Sequence, residues 1–251
     1  MRGLGYKPDP PDARDRSVEH LRVSTAALPA SASLRSWVCE VLDQGETQSC
    51  VAQATAQSLR IAMGVAGAVS PPLPSRRQLY WSARARSGDL GADSGTTIRA
   101  AFGALGAVGI ASEDACPWDG TLLLDEPAWD VWQRGYDSRM SGYYRIGSIG
   151  SARGEAVRAA LTARHPVVLG LRIDDSFESQ DGRSPWPGPR GEVLGGHAVC
   201  LVGYDAERVV LCNSWGTSWA DSGLGAITWE ALGDPTIASD LWVPTVTKEA
   251  T

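Results

Sequence analysis

A thiol, an imidazole and a carboxamide are the groups in this chain whose types and spacing suit covalent chemistry. Cys50 heads the run CVAQATAQSLRIAMGVA (50–66), in which Arg60 is the only charged residue and Ala, Leu, Ile and Met fall on every face. A helix apolar all round is a buried one. With Ser49 as N-cap and Gly64 or Gly67 as its stop, the run puts Cys50 on the first turn. There the positive end of the helix dipole favours the nucleophilic thiolate. A lone cysteine is most often buried filler, so the assignment depends on its company. Gln44, in QGETQSC (44–50), is placed to donate its amide to an oxyanion formed at the carbon that Cys50 attacks. His197 follows Gly195 and Gly196 at the mouth of a hairpin and is a natural base for a thiol, although a single histidine entering a strand is commonly structural. Asn213 ends the second strand of that hairpin, sixteen positions later. Diagonal neighbours on paired strands lie about 7–8 Å apart, within reach of a side-chain amide that orients the ring.

The elements that must position these groups change character along the chain. Residues 1–33, with Pro8, Pro10, Pro11 and Pro29, read as an extended N-terminal arm over a body that starts near Leu34. Beyond the 50–66 helix, helical patterns cover 77–86, 96–105 and 128–134, and one more covers 153–164. Strand patterns then dominate at 166–173, 198–204, 209–212, 226–229 and 241–246, with a Gly/Pro-rich loop at 181–191. Helices first and strands second imply an α+β protein with a mainly helical lobe (34–140), a mainly β lobe (141–251) and a cleft between them.

Composition bounds the function. The chain has 251 residues, 43% hydrophobic and 21% charged, as ordinary folded chains have. Its net charge of −6 argues against non-specific binding to nucleic acid or to an anionic membrane, both of which need a basic surface. No apolar run approaches the ~18 residues of a membrane span. Charged residues among the first twenty, Asp9 to Glu19, break any signal-peptide core, so a cytoplasmic location is expected. The five cysteines, Cys39, Cys50, Cys116, Cys200 and Cys212, include no C-x-x-C pair and fit neither a disulfide framework nor a zinc site; they are expected to be reduced.

Three segments together, QGETQSC (44–50), GGHAVCLVGYD (195–205) and NSWGTSWADSGLGAI (213–227), resemble the papain-like cysteine peptidases in order and spacing. His197 follows Cys50 by the roughly 130–150 residues expected of that class. LYWSAR (79–84), DSGTTIRAAFGALGAVGIASEDACPW (93–118) and PVVLGLRI (166–173) are weaker matches, and together the segments span most of 36–245. The resemblance implies a papain-like two-lobed fold: a helical lobe around the Cys50 helix, an antiparallel β-barrel-like lobe, and a cleft between. It implies Cys50 as nucleophile, His197 as base and then acid, Asn213 as the orienter of the imidazole, and Gln44 with the Cys50 N–H as oxyanion hole. Trp215 would shield the Asn213–His197 contact. Gly95, Ser94, Trp215 and Gly196 would line the substrate site, with Ser94-Gly95 standing where the family has paired glycines. Thr47 and Val51 replace a cysteine and a tryptophan of many secreted members, which makes the sequence more like a bacterial branch.

The function so implied is a cysteine endopeptidase acting on peptide or protein substrates through a thioester, without metal or organic cofactor, and as a monomer. Alternatives are a catalytically silent peptide-binding homologue, an acyl-transferring enzyme, or a sugar-binding protein that presents Trp219 as an exposed platform. The arm is too short to form a core of its own. It is expected to pack as part of the fold and leave the chain active as synthesised, with access limited by cleft shape and the 181–191 loop.

Overall fold

The computed structural model describes residues 2–21, 27–135 and 140–246. Its elements in chain order are β1 (Ala32–Ser33), α1 (Cys50–Ala66), α2 (Arg76–Arg86), α3 (Ile98–Val108), α4 (Trp129–Gly135) and β2 (Gly142–Ile146). There follow α5 (Gly150–Thr162), β3 (Val167–Ile173), α6 (Asp175–Glu178), β4 (Gly195–Tyr204), β5 (Arg208–Cys212), β6 (Leu224–Thr228), α7 (Trp229–Gly233) and β7 (Ala238–Thr245). The strands form one antiparallel sheet in the order β2-β7-β3-β4-β5-β6, with β1 added to β4. It remains open where a barrel-like lobe was expected.

Helix α1 is the hinge between the two halves. It packs on α2 and α3 on one side and on β4, β3 and β7 on the other. Its first turns are buried all round, including Gln53, Thr55 and Gln57. Gly67, at φ 116°, ends it in the left-handed conformation that a side chain resists. One apolar cluster joins α1, α2 and α3 through Leu59, Leu79, Tyr80 and Phe102; a second joins the sheet to α5 through Val157, Leu169, Leu201 and Leu211. Cys50 and Ala198 belong to the first cluster, Val199 and Trp215 to the second, so the seam between them runs past the head of α1.

Two elements depart from the sequence pattern for identifiable reasons. The helix expected from Thr96 starts at Ile98, because Thr97 caps it by accepting from the Ala100 N–H, and Thr96 spends its own N–H and C=O on the N-terminal arm. The strand expected to run through Trp229 ends at Thr228, whose hydroxyl accepts from the Ala231 N–H and starts α7. In β7 the register against β3 slips between Val168↔Trp242 and Gly170↔Ser239. The bulge leaves Asp240 at φ 51°, a left-handed conformation that costs a non-glycine residue on the order of 1 kcal/mol or more. Among the described residues no helix is long and apolar enough to cross a membrane.

Candidate active site

The site lies where α1 meets β4. Cys50 begins α1 and is fully buried, and its sulfur accepts a hydrogen bond from the Ala198 N–H at 3.3 Å, which sets it beside His197. The β4–β5 register pairs Cys200 with Cys212, so one step further Asn213 faces Val199 and has His197 as its diagonal neighbour. Asn213 Oδ1 lies 2.7 Å from His197 Nε2 and also accepts from the Ser214 N–H at 2.8 Å. Because the second donor is a backbone amide, that atom is the amide oxygen, and the imidazole carries its proton on Nε2. His197 Nδ1 is thereby the basic nitrogen; it is buried with no hydrogen-bond partner among the described residues, as is Asn213 Nδ2. Trp215 stacks on the imidazole, centroids 4.4 Å apart. Phe177 packs edge-on against Trp215 and tilted against Trp219, and closes the apolar wall behind it.

Gln44 reaches the same place by backbone pairing. Its N–H donates to the Ser214 carbonyl at 2.9 Å, and the Ser214 hydroxyl donates to Gln44 Oε1 at 2.6 Å. That bond leaves Gln44 Nε2 as the donating end, which gives to the Thr47 carbonyl at 2.8 Å and reaches the arm. Ser214 is a positioning residue that sequence reasoning did not single out, although it lies inside the NSWG segment.

The cleft is filled by the arm. The Leu4 carbonyl oxygen lies 3.4 Å from the Cys50 N and 3.3 Å from Gln44 Nε2, and the Gly3 carbonyl takes a further Gln44 contact at 3.0 Å. Tyr6 N–H donates to the Gly196 carbonyl at 3.0 Å; Thr96 N–H donates to the Gly5 carbonyl at 2.9 Å and its carbonyl accepts from the Lys7 N–H at 3.0 Å. Arg2 lies over Trp215, its guanidinium 5.2 Å from the ring, and donates to the Trp215 carbonyl at 3.0 Å. The approach is close enough to exclude side chains: a Cβ on Gly5 would stand 1.9 Å from the Gln48 oxygen, and one on Gly95 2.0 Å from the Gly5 oxygen. The expectation that access is limited by cleft shape and the 181–191 loop is therefore corrected: the arm itself covers the site. The arm does pack as part of the fold, but it does so across Cys50, held by backbone bonds that need no side-chain signature. The 181–191 loop is tied elsewhere, by Arg190 and Gly191 amides to Asp174 and by Trp186 to β6.

Ser94 and Gly95 border this path without backbone pairing to it. The Gly95 N–H donates to the Tyr80 hydroxyl, and the Ser94 hydroxyl bonds Asp89 and accepts from Lys7. The backbone pairs with the arm at this point are made by Thr96. Gly196 contributes its carbonyl, and Trp219 is buried, its indole N–H donating to the Glu178 carbonyl at 3.0 Å. A buried Trp219 offers no platform, and the sugar-binding alternative is withdrawn.

Burial controls the electrostatics. It pushes the Cys50 thiol up to about 12 against the opposing pull of the Ala198 amide. It pushes His197 down to about 4, which the Asn213 bond resists and the Arg2 charge reinforces. With the arm seated, thiol and imidazole are both neutral. No cluster of three or more His, Cys, Asp or Glu suited to a metal ion occurs among the described residues. All five cysteines are unpaired.

A buried thiol at a helix N-terminus, an imidazole oriented by an amide, and converging N–H donors can together run acyl transfer, and known proteins share the arrangement's fold. Residues 28–245 match the profile of the Papain family cysteine protease family, and the chain belongs to that family. It is similar to xylellain, a cysteine protease from Xylella fastidiosa, at 26% identity with a TM-score of 0.88, covering 98% of this chain and 97% of that one. A peptidase C1-like protein of Acanthamoeba polyphaga mimivirus is 25% identical over 96% of this chain and 86% of its own length. Bromelain from Ananas comosus, at 20% identity over 87% of this chain and all of that one, shares the fold with a TM-score of 0.70.

Proposed function

We propose that the chain is a latent cysteine endopeptidase that hydrolyses peptide bonds through a Cys50–His197–Asn213 triad. The observation that carries this reading is the Leu4 carbonyl: a peptide carbonyl rests between the backbone N–H of Cys50 and the Gln44 side-chain donor. A substrate carbonyl in that place is polarised by both donors. When the arm leaves, water reaches the pair, the thiol pKa falls towards its ordinary value, that of His197 rises, and the proton passes from sulfur to Nδ1. The thiolate attacks the carbonyl carbon, and the oxyanion is held by Gln44 Nε2 and the Cys50 N–H. Imidazolium Nδ1 then gives its proton to the leaving amine, and the C–N bond breaks to leave a thioester. Water, deprotonated by His197, hydrolyses that thioester and restores the thiol. Asn213 keeps the ring in the tautomer that these steps need, and Trp215 keeps water from their contact.

The test uses full-length chains. Gly5→Val places a side chain where the Gln48 carbonyl stands, so it should expel the arm and raise peptide cleavage well above the wild-type level. In that background Cys50→Ala and His197→Ala should each remove nearly all turnover, Gln44→Ala should cost on the order of 10²–10³ in kcat, and Asn213→Ala less. Cleavage that survives Cys50→Ala defeats the proposal.

A further inference from the structure

Gln44 Nε2 carries two protons, and both are spent: one is aimed at the arm carbonyls in the cleft, the other at the Thr47 carbonyl at 2.8 Å. The direction of the first bond is therefore set by where the second is anchored. The Thr47 carbonyl belongs to the same planar peptide as the Gln48 N–H. That N–H points out of the loop to Asp93, whose two carboxylate oxygens accept it at 3.0 and 3.2 Å. Among the described residues the 47–48 peptide makes no other hydrogen bond. Asp93 is fixed in turn from α2, where the Tyr80 hydroxyl donates to its Oδ1 at 2.5 Å and accepts from the Gly95 N–H at 3.0 Å. Burial first, and then the bond to Asp93, keep that phenol protonated and hence a donor.

We infer that Asp93 is a positioning residue for the reaction, which holds the oxyanion donor Gln44 in place through the Thr47–Gln48 peptide; the inference rests on the peptidase reading above. The contacts run from the Asp93 carboxylate to the Gln48 N–H, and from the Thr47 carbonyl to Gln44 Nε2. A carboxylate bound to one end of a peptide does two things. It stops the peptide plane from rotating, which sets the position of Nε2, and it polarises the peptide so that its carbonyl is a stronger acceptor. Ser214 fixes the other end of the same carboxamide at Oε1. A donor set in place before charge develops is what an oxyanion needs, and a misplacement of about 1 Å can cost on the order of 10² in rate. The loop has no substitute anchor here. Gly45 and Glu46 are exposed, and the Thr47 hydroxyl bonds only within the loop, to the Gln44 carbonyl and the Ser49 hydroxyl. The described hydrogen bonds of Asp93 go to Gln48 and Tyr80 and none to the arm, so it reaches the reacting carbonyl only by way of Gln44. Its side chain stands at an exposed rim, where shortening it opens no cavity.

The test is coupling to Gln44, measured on peptide cleavage by the full-length Gly5→Val chain. Asp93→Ala should lower kcat by about tenfold or more and leave KM within about threefold. In Gly5→Val, Gln44→Ala the same substitution should cost less than about twofold, since no donor is left to place. A pin that merely steadied the fold would cost the same in both backgrounds. Asp93→Asn keeps the shape but offers one acceptor oxygen to two donors; its loss should fall between, and it supplies the same comparison if Asp93→Ala fails to fold. Equal losses with and without Gln44, a loss carried by KM alone, or no loss in either variant overturns the inference. A second readout needs no turnover. In isotope-labelled chains that keep the arm seated, Asp93→Ala should speed exchange of the Gln44 carboxamide protons by about tenfold or more and leave that of the Tyr6 amide, bonded to Gly196, unchanged. Unchanged exchange at Gln44 overturns the positioning role even where cleavage is absent. No cleavage by Gly5→Val, with exchange altered as expected, overturns the peptidase reading instead and leaves the anchor standing.

Discussion

Cys50 sits on the first turn of a helix, and that position alone is worth about 0.3–1 kcal/mol in favour of the thiolate. Complete burial raises its pKa from 9.0 to about 12, which is roughly 4 kcal/mol against it. Desolvation wins, and the residue that the sequence marks as most reactive is masked. Cys39 is the exposed cysteine. A limiting amount of iodoacetamide should therefore alkylate Cys39 of the wild-type chain first and Cys50 only slowly, whereas Gly5→Val should label Cys50 at a much higher rate. Peptide mapping after timed quenching checks this, and wild-type labelling of Cys50 as fast as Cys39 would contradict the seated arm. The four chemical residues were themselves legible, because Cys50, Gln44, His197 and Asn213 each stand in a short motif whose neighbours fix a helix start or a strand end. Ser214 and Asp93 were not: each acts through Gln44, by contacts across the sequence that no local pattern announces.

At the scale of elements, the helix 50–66 and the hairpin that carries His197 and Asn213 could be read directly, since an all-apolar helix and paired strands leave strong periodic signals. The arm could be recognised as extended but its route could not. Gly3, Gly5 and the Tyr6 and Lys7 amides engage the body through backbone groups, and backbone pairing has no residue code. What fastens the arm beyond the cleft is an ionic clasp. Asp15 takes a bidentate pair from Arg99 on α3, at 2.7 and 2.6 Å, and a third bond from Arg145 on β2 at 2.7 Å. All three side chains are largely shielded, so the clasp is screened less than surface pairs are. Asp15→Asn keeps the shape and removes the charge that both guanidiniums share. It should speed Cys50 labelling of the full-length chain by about tenfold or more, read by the same peptide mapping; an unchanged rate would assign the closure to the backbone bonds alone.

For the whole molecule, the arm is the strand that joins the lobes, since Tyr6 and its neighbours pair with Thr96 ahead of α3 and with Gly196 on β4. Closing it over the site dehydrates the imidazole, and this ties closure to pH. His197 has a pKa of about 4 in the closed form against an ordinary 6.5, so the open form binds the proton more tightly. Closure is then at full strength above 6.5 and weakens as pH falls towards 4, by up to about 1.4 kcal/mol, or tenfold, per unit. Asp9 opposes this: burial and the Asp240 charge raise its carboxyl pKa in the closed form, so protonating it favours closure. The imidazole's share between about pH 6.5 and 5 is the part that a histidine substitution removes. Hydrogen exchange of residues 2–9 in the wild-type chain, corrected for the intrinsic pH dependence of amide exchange, should show protection falling steadily over that interval. His197→Gln should flatten the dependence, because its side chain has no proton to take up. Protection that rises on acidification, or that falls equally in His197→Gln, would show that the lobes are held together by charges other than the imidazole at the centre of the site.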